Sequence, residues 1–132
     1  MVEKERCLVS FEFGKFNQHF EIEQGHFNIG EELVKFVCYI EDHNMIEYFQ
    51  NLIRLKQFTF NESFFIFDLT KKTIVNDLNK EDVKKNFYKW HYIVDLDCEY
   101  LCFITYVDHL IKYDAVPFEQ ISEYPYQWEM LI

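Results

Sequence analysis

The sequence is poor in the residues that break a chain or staple it: its 132 residues include three glycines, two prolines and four cysteines. The glycines, at positions 14, 25 and 30, form no run, which excludes a Walker loop and a dinucleotide-binding fingerprint. No apolar stretch approaches the roughly twenty residues of a membrane-spanning helix. The first residues alternate in polarity and do not form a secretory signal. We therefore expect a cytoplasmic protein with reduced cysteines.

Basic residues are also scarce. Thirteen lysines and arginines face 23 aspartates and glutamates, which gives a net charge of −10. Such a field repels a phosphate backbone and argues against nucleic acid as a partner. Apolar residues make up 49% of the chain and aromatic residues 20%, enough to fill a packed core. The length predicts a single globular domain over residues 1–132.

Alternation of polar and apolar residues predicts strands in the first part of the chain. Residues 6–13 and 18–23 form a predicted hairpin around a turn at Gly14 to Asn17. On these strands the core-facing residues are Cys7, Val9, Phe11, Phe13, Phe20 and Ile22, whereas His19, Glu21 and Glu23 point outward. Further strands are predicted at 58–60, 64–69, 92–97 and 100–107.

Helical spacing predicts three helices. One follows a cap at Asn28, a second covers residues 45–53, and a third starts after Asn79 and extends to Trp90. Residues 31–41 also alternate, and residues 100–112 fit a helix as well as a strand. The segment from Asp108 to Ile132 contains both prolines and predicts a short helix with extended pieces. The expected fold is α+β, with a mostly antiparallel sheet and two to four helices packed on it in two layers.

The negative charge is concentrated in the C-terminal third, where residues 90–132 hold eight acidic residues and one lysine. Tyrosine and tryptophan are interleaved with these acids. Carboxylates steer a basic partner into place, and Tyr and Trp provide large rigid contact areas. The pattern predicts a protein-binding surface built from Asp95, Asp97, Glu99, Asp108, Asp114, Tyr92, Tyr100, Tyr113 and Trp128.

Neither a metal site nor a catalytic site is expected. Asp95, Asp97 and Glu99 alternate on one strand, but the glycine-assisted turn of a calcium loop is missing. The spacing of Cys98 and Cys102 does not match a zinc knuckle. The five histidines are dispersed, and no serine lies in the glycine-flanked turn of an activated nucleophile. We expect a protein without a cofactor that is not an enzyme.

The chain resembles the immunity proteins of bacterial contact-dependent and polymorphic toxin systems in its size, its charge, its lack of a signal segment and its aromatic, acidic C-terminal third. The resemblance implies binding to a cognate toxin, often a nuclease with a basic active site, and inhibition by occluding that site.

Three alternatives stay open at the level of sequence. Phage inhibitors that mimic nucleic acid share the acidic composition. A homo-oligomeric interaction domain could use the phenylalanine-rich strands of residues 58–67 as its contact. A small enzyme would need a cysteine or a carboxylate beside a histidine. Neither the partner nor the oligomeric state follows from the sequence.

Overall fold

The predicted hairpin forms the start of the fold. In the computed structural model, which describes residues 2–22, 26–59, 75–79, 81, 86–107 and 110–123, β1 (Val2–Phe13) pairs antiparallel with β2 (Phe16–Ile22). Gly14, in the turn between them, has a φ of +59°, which glycine adopts without steric cost. Cys7 lies opposite Ile22 and Phe13 opposite Phe16. The hairpin prediction is therefore confirmed, but the turn contains only Gly14 and Lys15: Phe16 and Asn17, which were predicted in the turn, belong to β2.

Two α-helices follow. Helix α1 (His26–His43) and helix α2 (Ile46–Arg54) are separated by Asn44, whose φ of 54° ends the first helix. Both predicted helices are confirmed, and residues 31–41 are helical. Each helix buries one apolar stripe: Leu33, Phe36, Val37 and Ile40 on α1, and Phe49 and Ile53 on α2.

The remaining described strands complete one six-stranded sheet. They are β3 (Val75–Leu78), β4 (Asn86–Asp95), β5 (Tyr100–Val107) and β6 (Leu110–Pro117), followed by a 3-10 helix (Phe118–Glu123). The strand order is β3-β2-β1-β4-β5-β6. Strand β4 pairs parallel with β1, and the other pairs are antiparallel. This is the expected α+β fold with a mostly antiparallel sheet.

One sequence prediction fails in the middle of the chain, and another is tested only in part. The predicted helix through Trp90 is wrong, because residues from Asn86 onward form β4. Within β4, Trp90, Tyr92 and Val94 alternate toward the core, and pairing with β1 outweighs their helical spacing. Phe58 and Thr59 lie in a segment without regular structure, whereas Phe60 and the whole predicted strand at 64–69 fall outside the described residues.

An aromatic cluster joins the helices to the sheet. Phe11 of β1 contacts Phe20 at 5.8 Å, Phe36 at 5.9 Å and Phe58 at 4.3 Å between ring centroids. Phe36 in turn contacts Phe49 of α2 at 4.8 Å. Edge-to-face pairs of this kind add to the free energy gained from burial. Phe11 therefore contacts α1 directly through Phe36, and Phe36 extends the aromatic cluster to α2.

The opposite face, which we term the outer face, is also well covered near its centre. Leu8 and Ser10 of β1 are buried there. Glu21, which the sequence places outward, lies on this face but is only 5% exposed. Its carboxylate accepts a hydrogen bond of 2.5 Å from the hydroxyl of Tyr88, which compensates a buried carboxylate for lost hydration.

Within the described part of the chain, neither α-helix combines the length and the apolarity needed to cross a membrane.

Truncating the aromatic cluster tests this description of the core. We expect Phe36→Ala to lower the free energy of unfolding by about 3–5 kcal/mol, because the cavity opens between α1, α2 and β1. The matched control is Leu55→Ala, whose side chain is 51% exposed and whose loss should cost less than about 0.5 kcal/mol. Urea unfolding measures both values. Equal losses in the two variants would contradict this account of the core.

Candidate protein-binding surface

The turn between β4 and β5 forms one side of the candidate site. Asp95, the last residue of β4, accepts hydrogen bonds through Oδ1 from the backbone N–H groups of Asp97 at 3.0 Å and Cys98 at 2.9 Å. An aspartate that bonds its own following backbone in this way stabilises a turn. The main role of Asp95 is therefore structural, and Asp97 remains exposed at the tip.

Glu99 ends this turn in an unusual backbone conformation. Its φ is 60°, in the left-handed region that costs a side-chain-bearing residue about 1–2 kcal/mol. The backbone oxygen of Glu99 accepts a hydrogen bond from the Phe118 N–H at 2.9 Å. This bond ties the turn to the start of the 3-10 helix and sets the position of the Glu99 side chain.

Three glutamates from three separate elements meet beside this turn. An open cleft of about 280 Å³ is lined by Glu41, Cys98, Glu99, Tyr100, Pro117, Phe118 and Glu119. The end of α1 provides Glu41, the turn provides Glu99, and the 3-10 helix provides Glu119. Tyr100 is 39% exposed. We call this feature the acidic cleft; no lysine or arginine is among its lining residues.

The electrostatics of the cleft reflect this concentration of carboxylates. The pKa of Glu41 is raised, first by partial desolvation and then by the charges of Glu99, Glu119 and Asp42. On the neighbouring strand ends, burial and the charge of Asp95 raise the pKa of Glu12. Like charges held together favour protons or cations, and a lysine or arginine side chain from a partner would relieve their repulsion.

The structure brings together only part of the predicted surface. Glu99 and Tyr100 line the acidic cleft, and Asp97 is exposed in the same turn. Glu41 and Glu119 were not predicted, because they approach Glu99 only through the packing of α1 against the 3-10 helix. Two of the predicted residues, Asp108 and Trp128, lie outside the described part of the chain.

Three predicted residues lie elsewhere. Tyr92 is completely buried and packs against Phe103 at 4.8 Å, so the prediction that it contacts a partner is wrong. Asp114 is half-buried on the helix-bearing side of β6, where its carboxylate accepts a bond from the Ala115 N–H at 2.9 Å. Tyr113 is 64% exposed on the outer face of β6. Tyr113 lies four residues before Pro117, which lines the acidic cleft, and is therefore roughly 13 Å from the cleft along the strand.

Metal binding and thiol chemistry depend on how the described histidines, cysteines and carboxylates are arranged. No group of three histidines, cysteines, aspartates or glutamates among them is arranged to hold a metal ion. Cys98 is exposed at the cleft, but its pKa is raised, chiefly by the charge of Asp95. Burial raises the pKa of Cys38 and of Cys102. Since the thiolate is the nucleophile, each of these shifts lowers thiol reactivity.

One serine, Ser10, lies between two histidines on the outer face. Ser10 Oγ lies 2.7 Å from His19 Nδ1 and 2.8 Å from His91 Nε2. A hydroxyl has one proton to donate, so one of the two rings must donate its own N–H to Ser10. Ser10 is completely buried, which leaves its Oγ no access to a substrate. This cluster links β2, β1 and β4 rather than forming an exposed nucleophile.

Comparison of the chain with protein-family models, with curated proteins and with solved structures yields no match.

The strained backbone at Glu99 leads to a stability prediction. We expect Glu99→Gly to raise the free energy of unfolding by up to about 1 kcal/mol, because glycine accepts a positive φ and the repulsion with Glu41 is lost. The control is Asp97→Gly in the same turn, a position outside the left-handed region. This change should destabilise the protein. Denaturant unfolding measures both, and a loss of stability in Glu99→Gly would contradict the proposed strain.

The histidine cluster leads to a prediction on pH. Burial, with a smaller contribution from the His19 charge, lowers the pKa of His91 from 6.5 to about 4. Between these pH values the unfolded chain binds a proton that folded His91 does not. The free energy of unfolding therefore has its full value above pH 6.5, and it falls by on the order of 3 kcal/mol as the pH is lowered to 4.

The variant that tests this effect is His91→Gln, which removes the titration while keeping an acceptor for the Ser10 hydroxyl. Urea unfolding at pH 7 and pH 4 should show a smaller loss for the variant than for the wild type. His43→Gln is the control, because this exposed ring bonds only locally to the Tyr39 carbonyl at 3.1 Å; it should retain the wild-type loss. An identical pH dependence in all three proteins would refute the assignment to His91.

Proposed function

We propose that this protein is a cytoplasmic inhibitor, of the immunity-protein type, that binds a basic partner through the acidic cleft. The observation that carries the proposal is the convergence of Glu41, Glu99 and Glu119 beside the exposed Tyr100. The partner that fits best is a nuclease toxin, because an active site that binds phosphate must present lysines and arginines.

The arrangement suits rapid capture of such a partner. A net charge of −10 attracts a basic protein from a distance, and the carboxylates of the cleft focus this attraction at one end of the sheet. Complementary charges of this kind raise the association rate and fix the relative orientation of two proteins. Asp97, exposed at the tip of the turn, extends the acidic surface.

We expect the bound protein to inhibit its partner by occlusion. Lysine and arginine side chains of the partner's active site would enter the acidic cleft and meet Glu99, while Asp97 and Tyr100 of the β4–β5 turn would contact the surrounding surface of the partner. Desolvated tyrosines are frequent hot spots of protein interfaces. The carboxylates would take the positions of substrate phosphates, and the enzyme would be blocked without any reaction on the inhibitor.

A comparative capture experiment tests this function. The wild-type protein is immobilised and incubated with an extract of its source cell. It should retain one basic nuclease at low salt and release it at high salt. The same bait carrying Glu41→Gln, Glu99→Gln and Glu119→Gln should lose it, because three cleft charges are removed without a change in size. With the purified nuclease, the triple variant should associate about tenfold or more slowly and inhibit less.

The matched control removes three glutamate charges elsewhere. Glu31→Gln and Glu32→Gln alter the second turn of α1, and Glu47→Gln alters the first turn of α2. This variant should keep almost all of the capture and inhibition. If both triple variants lose the partner equally, net charge and not the cleft governs binding. If neither loses it, or if the captured protein has no activity that the wild type inhibits, the proposed function is wrong.

A further inference from the structure

Strand β6 forms one edge of the sheet, and its first half is exposed and apolar. It follows β5 at the end of the strand order, and no other described strand pairs with its outer side. Leu110 is 65% exposed, Ile111 64% and Tyr113 64%. Exposed apolar edge strands tend to pair with another strand.

The charges along β6 specify which strand would fit. Its sequence, Leu-Ile-Lys-Tyr-Asp-Ala-Val-Pro, has one lysine and one aspartate, on either side of Tyr113. Lys112 and Asp114 point to the same, helix-bearing face, because they lie opposite Thr105 and Phe103 in the pairing with β5. A strand with this arrangement is complementary to its own antiparallel copy.

We propose that two copies of this chain form a symmetric dimer by antiparallel pairing of their β6 strands around Tyr113. Lys112 then lies opposite Asp114 of the second copy, and by symmetry Asp114 lies opposite the second copy's Lys112. Ile111 meets Ala115, and Leu110 meets Val116. Two-fold dimers of this kind use the same surface on both subunits.

The charge pattern selects this register among the symmetric ones. If the two-fold axis passed through residue 112, Lys112 would lie opposite its own copy. If it passed through residue 114, Asp114 would do so. Like charges directly opposite each other destabilise a strand pair, and opposite charges stabilise it. Only the axis at Tyr113 gives two attractive pairs and no repulsive one over residues 110–116.

The dimer is compatible with binding at the acidic cleft and does not depend on it. The two six-stranded sheets become one continuous sheet with the helices of both copies on the same side. Pro117, which lines the cleft, lies at the end of β6. The two clefts are therefore at opposite ends of the paired strands, separated by roughly eight residues or about 26 Å, and both remain open.

Sedimentation equilibrium over a range of concentrations tests the proposal with a charge swap. The wild type should dimerise. Lys112→Asp and Asp114→Lys, each alone, should weaken the dimer about tenfold or more, because every attractive pair becomes a repulsive one. The double variant, Lys112→Asp with Asp114→Lys, should restore dimerisation to within a few fold, because the opposite charges face each other again.

Lys56→Asp, which makes the same charge change in the exposed turn after α2, is the control and should dimerise like the wild type. Circular dichroism and thermal unfolding show that each variant is folded. A wild type that stays monomeric into the millimolar range would overturn the proposal. A dimer that neither single variant weakens, or that the double variant does not restore, would overturn the pairing of β6 in this register.

Discussion

The parallel pairing of β1 with β4 is the interaction on which the rest of the structure depends. These strands are the central pair of the sheet and come from opposite halves of the chain. Their register places Phe11 opposite Val94, inside the aromatic cluster, and Glu12 opposite Asp95, where the acidic turn begins. The Leu96 N–H donates a hydrogen bond of 2.7 Å to the Glu12 carbonyl. Core and candidate site are therefore fixed by the same strand pair.

The acidic cleft combines features that do not favour folding. A residue with a side chain occupies a left-handed backbone position at Glu99. Partial desolvation, and after it the carboxylates of Glu99 and Glu119, raise the pKa of Glu41, so ionising all three glutamates costs free energy in the folded protein. Sites that bind a partner often keep such a cost, since a more stable arrangement would bind less well. The strain at Glu99 would then serve the proposed capture of a basic protein.

Local patterns in the sequence predicted the parts of the fold that depend on neighbouring residues. The hairpin followed from alternation and Gly14, and both α-helices followed from helical spacing. The predicted turn was two residues too long and would have placed Ser10 opposite Glu21, whereas the structure pairs Ser10 with His19. Strand β4 was missed up to Trp90, because its aromatic residues fit helical spacing and the strand is stabilised by pairing with a distant segment.

The candidate site was predictable only where it is local. Alternation within the predicted strand 92–97 already places Tyr92 on the opposite face from Asp95, so its burial could have been foreseen. Glu99 and Tyr100 were identified from the acidic and aromatic pattern. Glu41 and Glu119 were not, because they reach the cleft through the packing of α1 against the 3-10 helix, and His91 reaches Ser10 through the parallel pairing. No local pattern encodes these contacts.

A backbone amide chemical-shift footprint shows whether the acidic cleft is the surface that binds the partner. The isotope-labelled protein is titrated with the captured basic protein at low salt. If the cleft binds the partner, the largest shifts fall on residues 97–100, on Glu41 and on Glu119, and they disappear at high salt. Shifts confined to α2 or to the hairpin, with the cleft unchanged, would rule out binding at the cleft.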